Sequence, residues 1–362
     1  MINHPILDLW SKILDYGKSY SLPQTKGVSI LREYLQNKIL DKIYSQKISR
    51  KIFFVGGTSL RILRGLDRFS EDLDFDCNKI REKELEDMFD NLLISFQKEN
   101  FPVKGYKNLT KQRYYFELRF PSILYLLGFS QNQRQNLVIK LDFAKFWQGL
   151  KAQVVLVDRY GFIYRVNTLT KDQILSEKIH AYCNRQQTLG RDLYDIIWLL
   201  KSGAKIDWQF LKKNSFDKSL FKKIRKRWQA DEKRIVFLKR SLQPLVINEE
   251  NAKQIYYFPY YFPEDKEIEC LGLEEKMSRG SDAYEFNFRF LVKKEKEISF
   301  TFIVSRALKM KANDDFKKQL LDKVISFYEF NPAINYQTKM ITSYDIEDFM
   351  TAKDEELGLF LE

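Results

Sequence analysis

The sequence predicts an α+β fold: a mixed-sheet core, then a helical domain, then a C-terminal α/β extension. Three observations carry this. Apolar residues recur at helical spacing before residue 50 and again after Thr170. Between these stretches lie short aromatic and β-branched runs with two-residue alternation. Near the end, Tyr284, Phe286, Phe288 and Phe290 alternate, and so do Ile298, Phe300, Phe302 and Val304. The 362 residues divide into an N-terminal helical segment (1–50), the core (51–165), a helical domain (166–245) and an extension (246–362).

Leu31, Tyr34, Leu35 and Ile39 mark a helix in the first segment, with no evident chemistry. Phe53, Phe54 and Val55 read as the end of a buried strand, and Gly56-Gly57 as a tight turn into a helix carrying Leu60, Ile62 and Leu63. A helix follows over 81–100, with Leu85, Met88, Phe89, Leu92 and Leu93 on one face, and Pro102 ends it. Arg113 to Phe120 alternates as a strand up to Pro121, and Val138, Ile139 and Leu141 mark another within 136–146. Thr170-Lys171-Asp172-Gln173 has the form of a capping box and opens a helix with Ile174, Leu175, Ile179 and Tyr182 as its stripe. After a break at 186–190, Ile196, Ile197, Leu199 and Leu200 continue a second helix. The alternating runs at 284–304 form a hairpin with one apolar face, and Phe316, Leu320, Val324 and Phe327 predict a helix over 315–327.

The chemistry concentrates between Phe53 and Asp76. Glycines after a strand let the backbone approach a ligand, and the free amides of a helix's first turn bind anions. Ser70-Glu71-Asp72-Leu73-Asp74-Phe75-Asp76 then sets Asp72, Asp74 and Asp76 on one strand face and Leu73 and Phe75 on the other. Neighbouring carboxylates repel, and a hard divalent cation relieves the repulsion. A glycine turn alone is common, and an alternating acidic strand alone reads more readily as a solvated edge. Together they suit nucleotidyl transfer.

Further positions admit two readings each. Asp142 interrupts an apolar strand; it either faces water or Lys140, or supplies a third carboxylate to a two-metal site. Lys178 either snorkels beside its helix stripe or points its ammonium at a triphosphate. Asp192 and Asp195 share a helix face, as a helix-start acid with an Arg–Asp structural pair or as functional acids. Lys212 to Arg240 is dense in basic residues around Phe221 and Trp228, either a solvated helix face or a platform for RNA or an acidic partner.

The stretch Gly56-Gly57-Thr58-Ser59-Leu60 with Arg68-Phe69-Ser70-Glu71-Asp72-Leu73-Asp74 resembles the nucleotidyltransferase toxins of the AbiEii/AbiGii abortive-infection family, the toxin half of bacterial type IV toxin–antitoxin pairs. Glu177-Lys178 and Arg191-Asp192-Leu193-Tyr194-Asp195 match two motifs of that family's second half. The resemblance covers roughly residues 51–200. It implies a polymerase-β-like nucleotidyltransferase core and two Mg²⁺ ions held by Asp72, Asp74 and Asp142. It implies nucleotide contacts from Gly56, Gly57, Thr58, Ser59, Arg68, Ser70 and Lys178, and a required acid at Asp192 or Asp195. It also implies an NTP substrate, an RNA acceptor such as a tRNA 3′ end or else a protein hydroxyl, and a cognate antitoxin encoded alongside.

Composition narrows the classes. Hydrophobic residues make up 44% and aromatics 15%, an ordered globular balance. A net charge of +12 favours polyanionic partners and argues against an antibiotic nucleotidyltransferase, whose cationic substrate needs an acidic pocket. A non-catalytic nucleic-acid-binding module is the other rival, and the intact glycine and acidic motifs argue against it. Cys77, Cys183 and Cys270 are widely spaced, which suits a reducing cytoplasm. Two histidines leave little room for His-based catalysis. No apolar run approaches membrane-spanning length.

Overall fold

The computed structural model describes residues 4–109, 113–145, 147–214 and 219–262, together with the backbone of four later strands. Helices α1 (Pro5–Ser19) and α2 (Gly27–Tyr44) open the chain. His4 caps α1, its Nδ1 accepting from the Ile6 amide at 3.1 Å. Helix α2 is enclosed on most sides, with Ile30, Leu31, Leu35, Ile39, Leu40 and Ile43 fully buried. Its buried Glu33 is therefore compensated: Arg61 Nε lies at 2.7 Å and Arg159 Nη2 at 3.0 Å, and the Tyr160 hydroxyl donates at 3.2 Å.

The core follows as β1 (Ile52–Val55), α3 (Gly56–Arg64), β2 (Leu73–Cys77), α4 (Glu82–Lys98), β3 (Lys104–Leu109), β4 (Arg113–Phe120), the single turn α5 (Ile123–Leu126), β5 (Leu137–Ala144), β6 (Ala152–Arg159) and β7 (Phe162–Leu169). The seven strands form one mixed sheet in the order β3-β4-β5-β2-β1-β7-β6. Strands β2 and β5 run parallel, as do β1 and β7, and the other pairs are antiparallel. Alternation gives the centre of the sheet two unlike faces. On one, Phe75 stacks on Phe143 at 4.6 Å and Phe116 meets Phe143 edge-on at 5.7 Å. Burial of each ring contributes on the order of 2–3 kcal/mol. The other face carries Asp74, Asp142 and Tyr115.

Helices α6 (Lys171–Asn184), α7 (Gly190–Lys201), α8 (Trp208–Lys213), α9 (Ser219–Glu232) and α10 (Ile235–Leu242) follow the sheet. Thr170 Oγ1 caps α6 by accepting from the Gln173 amide at 3.3 Å. In the basic stretch the aromatics are used in packing: Phe221 lies against Trp208 at 5.4 Å, and Trp228 stacks on Phe258 at 5.3 Å. Lys222, Lys223 and Lys226 stay exposed.

The chain divides into two compact units, residues 1–258 and 259–362. In the second, β8 (Ile268–Met277), β9 (Ala283–Val292), β10 (Lys296–Ser305) and β11 (Lys339–Met340) form a sheet in the order β11-β10-β9-β8. The expected hairpin is β9–β10, with Phe288 opposite Phe300 and Phe290 opposite Ile298. The helix expected over 315–327 lies outside the described residues. Among the described residues no helix is long and apolar enough to cross a membrane.

Candidate active site

Strand register builds the site. Asp74 on β2 lies opposite Asp142 on β5; Tyr115 on β4 lies opposite Asp142; and Asn108 on β3 lies opposite Tyr115. Paired positions on neighbouring strands share a face, so these four residues form one row across four strands. Asp72, two residues before Asp74, faces the same way. All five line a pocket of about 420 Å³, together with Gly57, Arg68, Ser70, Lys140, Lys178, Arg185, Arg191 and Asp192.

The glycine turn abuts the other side of Asp74, because β1 pairs with β2 and sets Val55 opposite Asp74. Gly56 has φ +74°, and a Cβ there would stand 2.1 Å from Asp74 Oδ2. A Cβ on Gly57 would stand 2.5 Å from Arg68 Nη2 and 2.8 Å from Ser70 Oγ. Thr58 and Ser59 are fully buried and their hydroxyls turn inward, Thr58 donating to the Asp72 carbonyl and Ser59 to the Gly56 carbonyl at 3.0 Å. Of Gly56, Gly57, Thr58 and Ser59, Gly57 is the one that lines the pocket. Thr58 instead ties the turn to the acidic strand.

Arg68 is buried and bidentate to Asp195, with Nε and Nη2 each at 2.7 Å from a carboxylate oxygen. Its loop is pinned by main-chain bonds from Phe69 to Leu245 at 2.7 Å and from Ile247 to Asp67 at 2.9 Å, and by the Tyr194 hydroxyl donating to Asp67 at 2.7 Å. Gln36 Nε2 donates to the Ser70 carbonyl at 3.0 Å. Lys178 Nζ lies 2.8 Å from Asp195 Oδ2, so one enclosed carboxylate holds both cations. Asp192 has different work: its carboxylate accepts from Arg185 Nη1 at 2.7 Å and from the Leu189 amide at 2.9 Å. Asp192 reaches the pocket, and Asp195 stands behind it.

The charges are strained where acids meet. Burial pushes the Asp74 carboxyl up to about 6; Lys178 and Arg191 oppose that, while Asp72 and Asp142 reinforce it. Burial also raises Asp72, against the pull of Arg191 and Lys140. Burial would raise Asp195 too, but Arg68 and Lys178 outweigh it and hold that carboxyl at about 2. Next to Lys178, Glu177 meets Asp76 as a buried acid pair, and burial raises both carboxyls.

A divalent cation suits this donor set. Asp72, Asp74 and Asp142 are hard oxygen donors; burial raises the Asp74 carboxyl, and the two neighbouring acids add to that rise. Among the described residues no three His, Cys, Asp or Glu side chains lie together as a group that could hold a metal ion.

The pocket also contains residues that sequence reasoning did not single out as site residues. Arg191 stood inside a recognised motif without a role. Asn108, Tyr115 and Arg185 gave no signal, because only register and helix packing bring them to the acids.

A family model described as the nucleotidyl transferase AbiEii toxin of type IV toxin–antitoxin systems matches residues 38–253. The chain belongs to this family. The AbiEii match takes in the whole seven-stranded sheet and every pocket residue. Among solved structures, JHP933 from Helicobacter pylori is similar over 64% of this chain and 89% of its own, at 19% identity and a TM-score of 0.37. A candidate nucleotidyltransferase from Helicobacter pylori is similar over 62% of this chain and 92% of its own, at 18% identity and a TM-score of 0.39. No curated protein matches.

Proposed function

We propose that this AbiEii-family chain transfers a nucleoside monophosphate from an NTP to a hydroxyl of RNA, a tRNA 3′ end foremost, as the toxin of a pair whose antitoxin is encoded alongside. The single observation that carries this is the register of Asp74 with Asp142 beside the Gly56–Gly57 turn. The triphosphate lies over Gly57 and the free amides of the first turn of α3. Lys178, oriented by Asp195, and Arg191 supply positive charge to it.

Two Mg²⁺ ions, held by Asp72, Asp74 and Asp142, would neutralise charge on the α-phosphate and acidify the attacking hydroxyl. The hydroxyl oxygen forms the new bond to the α-phosphorus. The bond from that phosphorus to the bridging oxygen breaks, and pyrophosphate leaves with its electron pair. The hydroxyl proton passes to the carboxylate of Asp142.

The test is incubation of the protein with each α-labelled NTP, Mg²⁺ and total RNA. Label is expected in RNA with wild type and not with Asp72→Ala. Absence of label with every NTP removes the activity, and transfer by Asp72→Ala removes the site assignment.

A further inference from the structure

Phosphoryl transfer proceeds in line, with the entering oxygen and the leaving pyrophosphate on opposite sides of the phosphorus. On the transferase reading above, the pyrophosphate rests at Gly57, on the β1 side of Asp74. The entering oxygen must then come from the β5 side, over Asp142. Beyond Asp142 the same row runs on to Tyr115 and Asn108. With strands about 4.8 Å apart, Asn108 stands roughly 14 Å from Asp74, which leaves this arm of the pocket long enough for a nucleotide.

The side chains on that arm share a chemistry. Tyr115 is half-buried, and its hydroxyl donates to Glu117 Oε1 at 2.5 Å. Glu117 in turn accepts from Arg119 Nε at 2.7 Å, which fixes the ring. Lys140, two residues before Asp142 on the same strand face, and Asn108 are exposed to solvent along the pocket. A fixed aromatic ring, an amide and an ammonium are the set that stacks on a base, reads its edge and neutralises a phosphate.

We propose that Asn108, Tyr115 and Lys140 form the acceptor wall of the site, taking the 3′-terminal nucleotide of a single-stranded polynucleotide. The base packs on Tyr115, Asn108 bonds to the base edge, and Lys140 pairs with the backbone phosphate. The terminal hydroxyl then faces Asp142.

The test separates the two substrates. KM for total RNA is measured in the labelled transfer assay, and Kd for the NTP by calorimetry with Mg²⁺ and no RNA, for wild type, Tyr115→Ala, Tyr115→Phe and Asn108→Ala. Tyr115→Ala is expected to raise the RNA KM about tenfold, while Tyr115→Phe, which keeps the ring, stays near wild type. Asn108→Ala is expected to raise the RNA KM by a smaller factor. The NTP Kd is expected to change by less than about twofold in all three. A raised NTP Kd with an unchanged RNA KM assigns the wall to the nucleotide and overturns the proposal, and so do variants that match wild type in both constants or label that enters protein. A wild type that moves no label from any NTP sinks the transferase reading itself, and this inference with it.

Discussion

Asp195 holds Lys178 through a 2.8 Å ion pair, and the same enclosed carboxylate takes two bonds from Arg68. Family resemblance leaves Asp192 and Asp195 as alternatives for one required acid, and the geometry divides their work. Asp195 anchors two cations from behind the pocket, whereas Asp192 lines it and closes the start of α7. Removing Asp195 would leave Arg68 buried without its counter-charge. Asp195→Ala is therefore expected to lose about 3–5 kcal/mol of stability in urea unfolding. Asp192→Ala gives up a helix-start bond and a partly exposed pair, a loss of about 1 kcal/mol. Equal losses in the two variants would contradict this division.

Acid should reveal the same anchor. Because Arg68 and Lys178 hold the Asp195 carboxyl at about 2, it releases its proton at lower pH when folded than when unfolded. Its contribution to stability is complete above the unfolded value of about 3.9 and disappears as pH falls towards 2. In Asp195→Asn this part of the acid limb is expected to flatten, measured as unfolding free energy between pH 5 and pH 2. An acid limb as steep as wild type's would contradict it.

Asp74 runs in the opposite sense. Its carboxyl, pushed up to about 6, holds its proton more tightly in the folded chain than in the unfolded one. Stability associated with this group is full below about 3.9 and is lost as pH rises to about 6, because the native state there binds the extra proton. Asp74→Asn is nearly isosteric and carries no charge. It is expected to raise Tm at pH 7.5 without divalent cations, to leave Tm at pH 4 unchanged, and to shrink the rise in Tm caused by added Mg²⁺. A Tm at pH 7.5 below that of wild type would refute the cost of charge argued for the buried Asp74 beside its neighbouring acids.

The sequence makes the strand–turn–helix at Phe53 to Leu63 legible because the residues on each side of the glycines follow one period. Leu73 to Cys77 is equally plain, since its acids and apolar residues alternate strictly. The helices from Thr170 to Leu200 carry ordinary apolar stripes, and the hairpin at 284–304 alternates. Strands β3, β6 and β7 are different. The first and second are edge strands with mostly exposed residues, so KGYKNL and AQVVLV lack a buried face to set a period. The same gap hides Asn108. It enters the site only because β3 pairs with β4 at one particular register, and register between distant segments leaves no trace in local pattern. The inward turn of Thr58 and Ser59 was likewise unreadable, because a hydroxyl after a glycine turn suits a phosphate and a carbonyl equally.

Glu33 tests a different part of the fold. It is a buried carboxylate on α2 that meets Arg61 from α3 and Arg159 from β6, and so joins the N-terminal helices to the sheet. Glu33→Ala leaves two guanidiniums facing one another in a dry site, with an expected cost of about 3–5 kcal/mol by urea unfolding. Glu33→Gln keeps the acceptor oxygen and is expected to cost less than Glu33→Ala. Identical losses would mean that shape rather than charge is what the site requires.

Two glycines with nearly the same backbone isolate the close approach at the active site. Gly56 has φ +74° and Gly65 has φ +79°, so alanine strains either one by roughly 1–2 kcal/mol. Their surroundings differ. A Cβ at Gly65 meets nothing within 4 Å, whereas a Cβ at Gly56 collides with the Asp74 carboxylate. Asp74 cannot yield without leaving the row it forms with Asp142, and a displacement near 1 Å at a reacting centre is worth about a hundredfold in rate. Gly65→Ala is therefore expected to lower Tm by a few degrees and keep its transfer rate. Gly56→Ala is expected to lower Tm somewhat further and to lose transfer about a hundredfold or more. Matched activities in the two variants, measured with the same labelled NTP and RNA, would show that the pocket tolerates a side chain where the structure leaves no room for one.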